Sequence, residues 1–186
     1  MARSDELKEI ADLWKKKVRA RDWPRAVIEE GIEKAGHNPV ELMYGHLLAY
    51  FHFLDNGELE RARDHIRQSY LFARSLSPSR YGYWIESVSL EYAFILGRLG
   101  IATQKADEIL KSVPLSRTFE AKRRRAEAAI LCCKANGLCF RLIERAEASW
   151  RKKYPDPVPD TVQAELDWLD DLKEVARSRI GTARHP

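Results

Sequence analysis

Apolar residues recur along almost the whole chain at steps of three and four while strict alternation is missing, so the pattern predicts helices and no strand. Ser4 caps a first helix with Leu7, Ile10, Ala11, Trp14 and Val18 on one face. A second follows Asp22-Trp23-Pro24, with Asp22 as cap and Pro24 in the first turn, and turns Val27, Ile28, Ile32 and Ala35 inward before Gly36. Asn38-Pro39-Val40-Glu41 has the form of a capping box and starts a third helix carrying Met43, Leu47, Tyr50, Phe51 and Leu54. That helix stops at Asp55-Asn56-Gly57-Glu58, whose Asn and Gly tolerate positive φ. A fourth runs from Leu59 through Ala62, Ile66, Tyr70 and Ala73 to Leu76, and Ser77-Pro78-Ser79 breaks it.

A fifth helix carries Trp84, Ile85, Val88, Tyr92, Ile95 and Leu99, and a short sixth carries Ala102, Ala106, Ile109, Leu110 and Val113 up to Pro114. The seventh starts at Ser116 and includes Phe119, Ala126, Ile130 and Cys133. After Asn136-Gly137 an eighth carries Cys139, Leu142, Ile143, Ala146 and Trp150. A proline-rich connector, Tyr154 to Pro159, leads to Asp160-Thr161-Val162-Gln163, a second capping box, and a last helix with Leu166, Leu169, Leu172, Val175 and Ile180. The nine glycines fall mostly at turns in this reading.

The turns within successive helix pairs are regularly spaced: Trp23 to Leu59 is 36 residues, Leu59 to Leu99 is 40, and Leu99 to Leu138 is 39. This is the range of two-helix solenoid units. At those turns Asp22-Trp23-Pro24-Arg25-Ala26, Gly57-Glu58-Leu59-Glu60-Arg61-Ala62, and Gly97 with Leu99, Ala102 and Pro114 resemble the tetratricopeptide family. The fourth unit has Arg141 where the family's small Ala belongs, and the opening Trp-Leu-Gly pattern of the family's first helix is absent throughout. The expectation is one all-α domain of tandem antiparallel hairpins, a short right-handed α-solenoid, with approximate units 5–38, 39–78, 79–114 and 115–154 and a capping helix over 160–180. The resemblance implies a concave groove lined by first-helix positions, here Lys8 and Lys15, Tyr44 and Phe51, Trp84 and Glu91, and Arg123. Phe51 and Trp84 also lie on the apolar stripes, so a core role competes with a groove role for both.

Length fits one compact unit or a short repeat array, and 45% hydrophobic with 32% charged residues is too apolar for a disordered chain. No run approaches the roughly 20 apolar residues of a membrane span, and the start of the chain is amphipathic, unlike a signal core. Cys132, Cys133 and Cys139, an odd and clustered set, read as reduced thiols in small core positions, and with them the expected compartment is the cytoplasm.

Net charge is +4 and uneven: eleven Lys/Arg face four Glu from Leu115 to Lys153, while acids outnumber bases seven to four from Tyr154 onward. Lys122-Arg123-Arg124-Arg125 is the sharpest charged feature, but four consecutive residues cover most of a helix circumference, so some must pack by their stems. A solvated face balanced by Glu120, Glu127 and the acidic last helix is favoured over a patch for nucleic acid, anionic lipid or an acidic peptide.

His46, His52 and His65, with Glu41 or Asp64, offer a metal reading, yet His46 and His52 are six residues apart and point to different faces. The cysteines lack paired zinc spacing. No Walker-type Gly-Lys-Ser, no Gly-x-Ser-x-Gly and no His-Glu-x-x-His is present, so no catalytic, cofactor or metal residues are assigned. The favoured function is a non-catalytic scaffold that holds a peptide or partner helix in the groove. The alternatives are a basic solenoid binding nucleic acid or an acidic surface, and a regulatory segment of a larger enzyme.

Overall fold

The computed structural model describes residues 4–113, 119–132, 137–155 and 157–182. Its helices are α1 (Asp5–Lys15), α2 (Arg25–Lys34), α3 (Pro39–Asp55), α4 (Leu59–Arg74), α5 (Pro78–Leu99), α6 (Thr103–Ser112), α7 (Phe119–Cys132), α8 (Gly137–Lys153) and α9 (Asp160–Thr182), with a 3-10 turn at Ala20–Asp22. There is no strand among the described residues, so the fold is all-α. Contacts cluster in two compact units, Met1–Val88 and Ser89–Pro186, and the boundary falls within α5.

The first unit is built on α3, which is buried on nearly every side through Met43, Tyr44, Gly45, Leu47, Leu48, Ala49, Tyr50, His52 and Phe53. An almost continuous apolar run from Leu42 to Leu54, instead of a single stripe, is the sequence signal for such a central helix. Antiparallel α4 packs along it, as the pairs Met43 with Ser69, His46 with His65 and Phe53 with Arg61 show. Ser69, fully buried, donates its hydroxyl to the Met43 carbonyl at 2.7 Å. Two mid-helix glycines bring α1, α2 and α3 together. A Cβ on Gly31 would meet Leu7 at 2.8 Å, and one on Gly45 would meet Ile32 at 2.8 Å. Leu7 also approaches Gly45, and Trp14 lies 5.4 Å from Phe51, so α1 and α3 run side by side in the same direction.

Helix ends follow their caps. The Ser4 hydroxyl accepts from the Leu7 amide, and the Asn38 side chain accepts from Val40 and Glu41, while the Glu41 carboxylate accepts from the Asn38 side-chain amide. At the ends of α1, α3 and α5 one stop recurs. The backbone turns left-handed at Lys17, Gly57 and Gly100, and the next amide reaches back to Leu13, Phe53 and Leu96 respectively. Lys17 and Val18 therefore lie beyond α1, not on it.

Other expectations are corrected. Asp22 sits in the 3-10 turn, and α2 starts behind Pro24 without a side-chain cap. The Gln163 side-chain amide donates forward to Asp167 at 2.8 Å. Ala102 precedes α6 in a left-handed conformation at φ +47 and is exposed, as is Ala26, so of the three turn alanines only Ala62 is buried. Most glycines are helical, namely Gly31, Gly45, Gly82, Gly97, Gly137 and Gly181; only Gly36, Gly57 and Gly100 have positive φ. Trp14, assigned to the apolar face, is 37% exposed. The predicted helix start at Ser116, Pro114, Cys133 and Asn136 lie outside the described residues.

In the second unit Ala126, Ala129, Ile143, Ala146, Val162, Leu166, Leu169, Leu172 and Ala176 form a core shared by α7, α8 and α9. Lys173 links α9 to α8 by a 2.6 Å ion pair with Glu147, and that cation together with Arg151 holds the Glu147 carboxyl below its usual range.

Candidate functional site

The sequence-selected positions fall into three groups. Tyr44 is 5% exposed on α3 and meets Trp84 of α5 edge-to-face at 5.6 Å, while Trp84 also meets Tyr83, which is 62% exposed. Phe51, half-buried two turns further along α3, touches Trp14, and Trp14 touches Trp23 at 6.3 Å. Trp23 is buried and donates its indole N–H to the Val18 carbonyl at 3.1 Å, which fixes the α1–α2 connection beneath the exposed Trp14. Lys8 and Lys15 project from α1 into solvent, each paired with an aspartate one turn back, Asp5 at 2.7 Å and Asp12 at 2.8 Å. Such exposed pairs exchange readily with other partners, because water and salt screen them. Lys8, Lys15, Tyr44, Phe51 and Trp84 thus belong to neighbouring helices of the first unit, with Trp14 and Tyr83 as exposed rings that periodicity had assigned to the core or passed over.

Glu91 and Arg123 behave differently. Glu91 is 7% exposed and accepts from the Arg124 Nε at 2.8 Å; the same guanidinium bonds Glu127 at 2.6 Å and lies 4.0 Å from the Phe94 ring centre. Arg123 lies half-buried at 3.8 Å from Glu127. Arg125 is buried too, and its two terminal nitrogens donate to the Leu110 and Val113 carbonyls at 2.8 Å, closing the C-terminal end of α6. Of the run Lys122 to Arg125, then, Arg124 and Arg125 turn inward to carboxylates and carbonyls, and Lys122 and Arg123 are half-buried. The length and fork of the arginine side chain make this possible, and the α-helical spacing of Glu120 and Glu127 only hinted at it.

The histidines pair across helices, not along one. His46 Nδ1 on α3 and His65 Nδ1 on α4 are 3.0 Å apart, with Phe72 stacked on His46 and Phe53 on His65. His52 donates from Nδ1 to the Ala20 carbonyl at 2.9 Å, which fixes its tautomer and ties the 3-10 turn to α3, as does the Ala20 amide to Asp55. Among the described residues no group of three or more His, Cys, Asp or Glu could hold a metal ion, and no helix is long and apolar enough to cross a membrane. Cys133 is outside the described residues. No family model, no curated protein and no solved structure matches the chain.

Proposed function

We propose that this chain is a non-catalytic interaction module, a tetratricopeptide-like right-handed solenoid of helix hairpins. It holds a peptide or partner helix against the face made by α1, α3 and the start of α5. Support comes from the first unit, where α1 lies along α3 and α3 meets the start of α5, and from the left-handed stop that ends each of these three helices. The observation that carries the reading is the exposure of Trp14 and Tyr83, each in ring contact with a half-buried aromatic of that row, Phe51 and Trp84. Large rings left in water beside rings held rigid are the composition of a binding hot spot, since a partner can bury them at little entropic cost. Lys8 and Lys15 beside them favour a ligand that combines an apolar anchor with carboxylates. The odd, clustered cysteines Cys132, Cys133 and Cys139 support a cytoplasmic setting for that work.

Panning a displayed random-peptide library on the full chain tests this. Enriched peptides are expected to bind at least about tenfold more weakly to Trp14→Ala and Tyr83→Ala, a loss of about 1.4 kcal/mol, with circular dichroism unchanged. Peptides indifferent to both substitutions, or no enrichment, would exclude this face. Nothing in the site favours the nucleic-acid reading, because Arg124 and Arg125 are committed internally.

A further inference from the structure

The histidine pair lies away from the docking row and has no part in it. Phe72 of α4, His46 of α3, His65 of α4 and Phe53 of α3 form one alternating ring stack across the hairpin, with centroid separations of 5.9, 5.2 and 5.1 Å. Two Nδ1 atoms 3.0 Å apart share a single hydrogen, one ring donating and the other accepting. We propose that this contact is a proton-operated latch on the α3–α4 hairpin, closed at neutral pH and released on acidification.

The geometry gives the reason. Uptake of one proton puts a charge into a stack that burial has largely stripped of water, and uptake of two sets hydrogens on both Nδ1 atoms face to face and turns the bond into a repulsion. The charged groups around the pair do little to offset this. Arg25 of α2 and Arg61 of α4 stand over the Phe53 ring and repel, while Glu29 of α2 and Asp64 of α4 attract but are already bonded to Arg25 and Arg63 at 2.7 Å. Burial, and after it the neighbouring His65, holds His46 down at about 4, and burial lowers His65 as well, against the pull of Asp64 and Glu29. An unfolded histidine takes its proton near 6.5. Between the two values the opened hairpin binds more protons than the closed one, so the stability from this pair is complete above about pH 6.5 and is lost as pH falls towards 4.

Amide hydrogen exchange of the full chain at pH 7 and pH 5, corrected for intrinsic chemistry, reads the latch. Protection across α3 and α4 is expected to fall at least tenfold more than across α8 and α9, whose lysine–carboxylate pair stays ionised in that range. His46→Leu/His65→Leu keeps an apolar stack and is expected to flatten the response to less than about twofold. If that variant does not fold, imidazole nitrogen shifts of the unaltered protein decide. One ring must be the Nδ1–H tautomer at pH 7, and both midpoints must lie below the roughly 6.5 of a free histidine. Unchanged protection at pH 5, two Nε2–H rings titrating near 6.5, or a full pH response in the double variant would overturn the latch.

Discussion

Lys17 sits at φ +57 where α3 and α5 use Gly57 and Gly100. A side chain in that region is strained by about 1 kcal/mol, and glycine removes the strain at the expense of a looser unfolded chain. Lys17→Gly is therefore expected to stabilise the protein by about 0.5 kcal/mol, measured as a rise in urea midpoint; a lower midpoint would show that the lysine stem packs usefully. Arg125 makes the opposite case. It is buried and donates to two carbonyls at the end of α6. Charge-assisted bonds of this kind contribute about 1.5–3 kcal/mol each before desolvation is subtracted. Arg125→Met should cost about 2 kcal/mol of stability by chemical denaturation, whereas Lys122→Ala should change it by less than about 0.5 kcal/mol.

At the scale of elements, the close approach of α1, α2 and α3 explains why two helix interiors carry glycine. Glycine in a helix costs about 1 kcal/mol against alanine, so Gly45→Ala would stabilise an isolated helix. Here the added methyl meets Ile32 at 2.8 Å, and overpacking of about 1–3 kcal/mol outweighs the gain. The expected outcome is a net loss of about 1 kcal/mol in thermal or urea unfolding; a stabilised variant would mean that α2 can move aside. Helix existence, most helix starts and the central breaks were legible in the sequence, because three- and four-residue periodicity and turn chemistry are local. What was not legible is what one helix does to another. The helix crossings at Gly31 and Gly45 left no mark in the periodicity, Ala102 was counted with the apolar residues although it faces solvent, and His46 with His65 became partners only when α4 folded back on α3.

For the molecule as a whole, a net charge of +4 and a basic run suggested affinity for polyanions, and the paired arrangement of Arg124 with Glu91 and Glu127 argues otherwise. Binding to a 20-base-pair duplex is expected to be no tighter than the about 10⁻⁴ M end of non-specific association at physiological salt. Titration with a fluorescent duplex checks it, and a micromolar complex persisting at about 0.2 M salt, above the roughly 0.15 M of physiological conditions, would restore the basic-surface reading. The candidate docking face was half legible: Tyr44, Phe51, Trp84 and the two lysines came from family-like positions, whereas Glu91 and Arg123 form part of an internal ion network, and Trp14 and Tyr83 emerged only from exposure.

The all-round apolar character of α3 also bears on synthesis. When its last residue leaves the ribosome, the surface meant for α4 has no cover until about 20 further residues are made, which takes about 1–4 s at cellular elongation rates. During that interval the nascent chain exposes a rod of Leu, Tyr and Phe that chaperones recognise, and α1 and α2 can shield only the side they pack against.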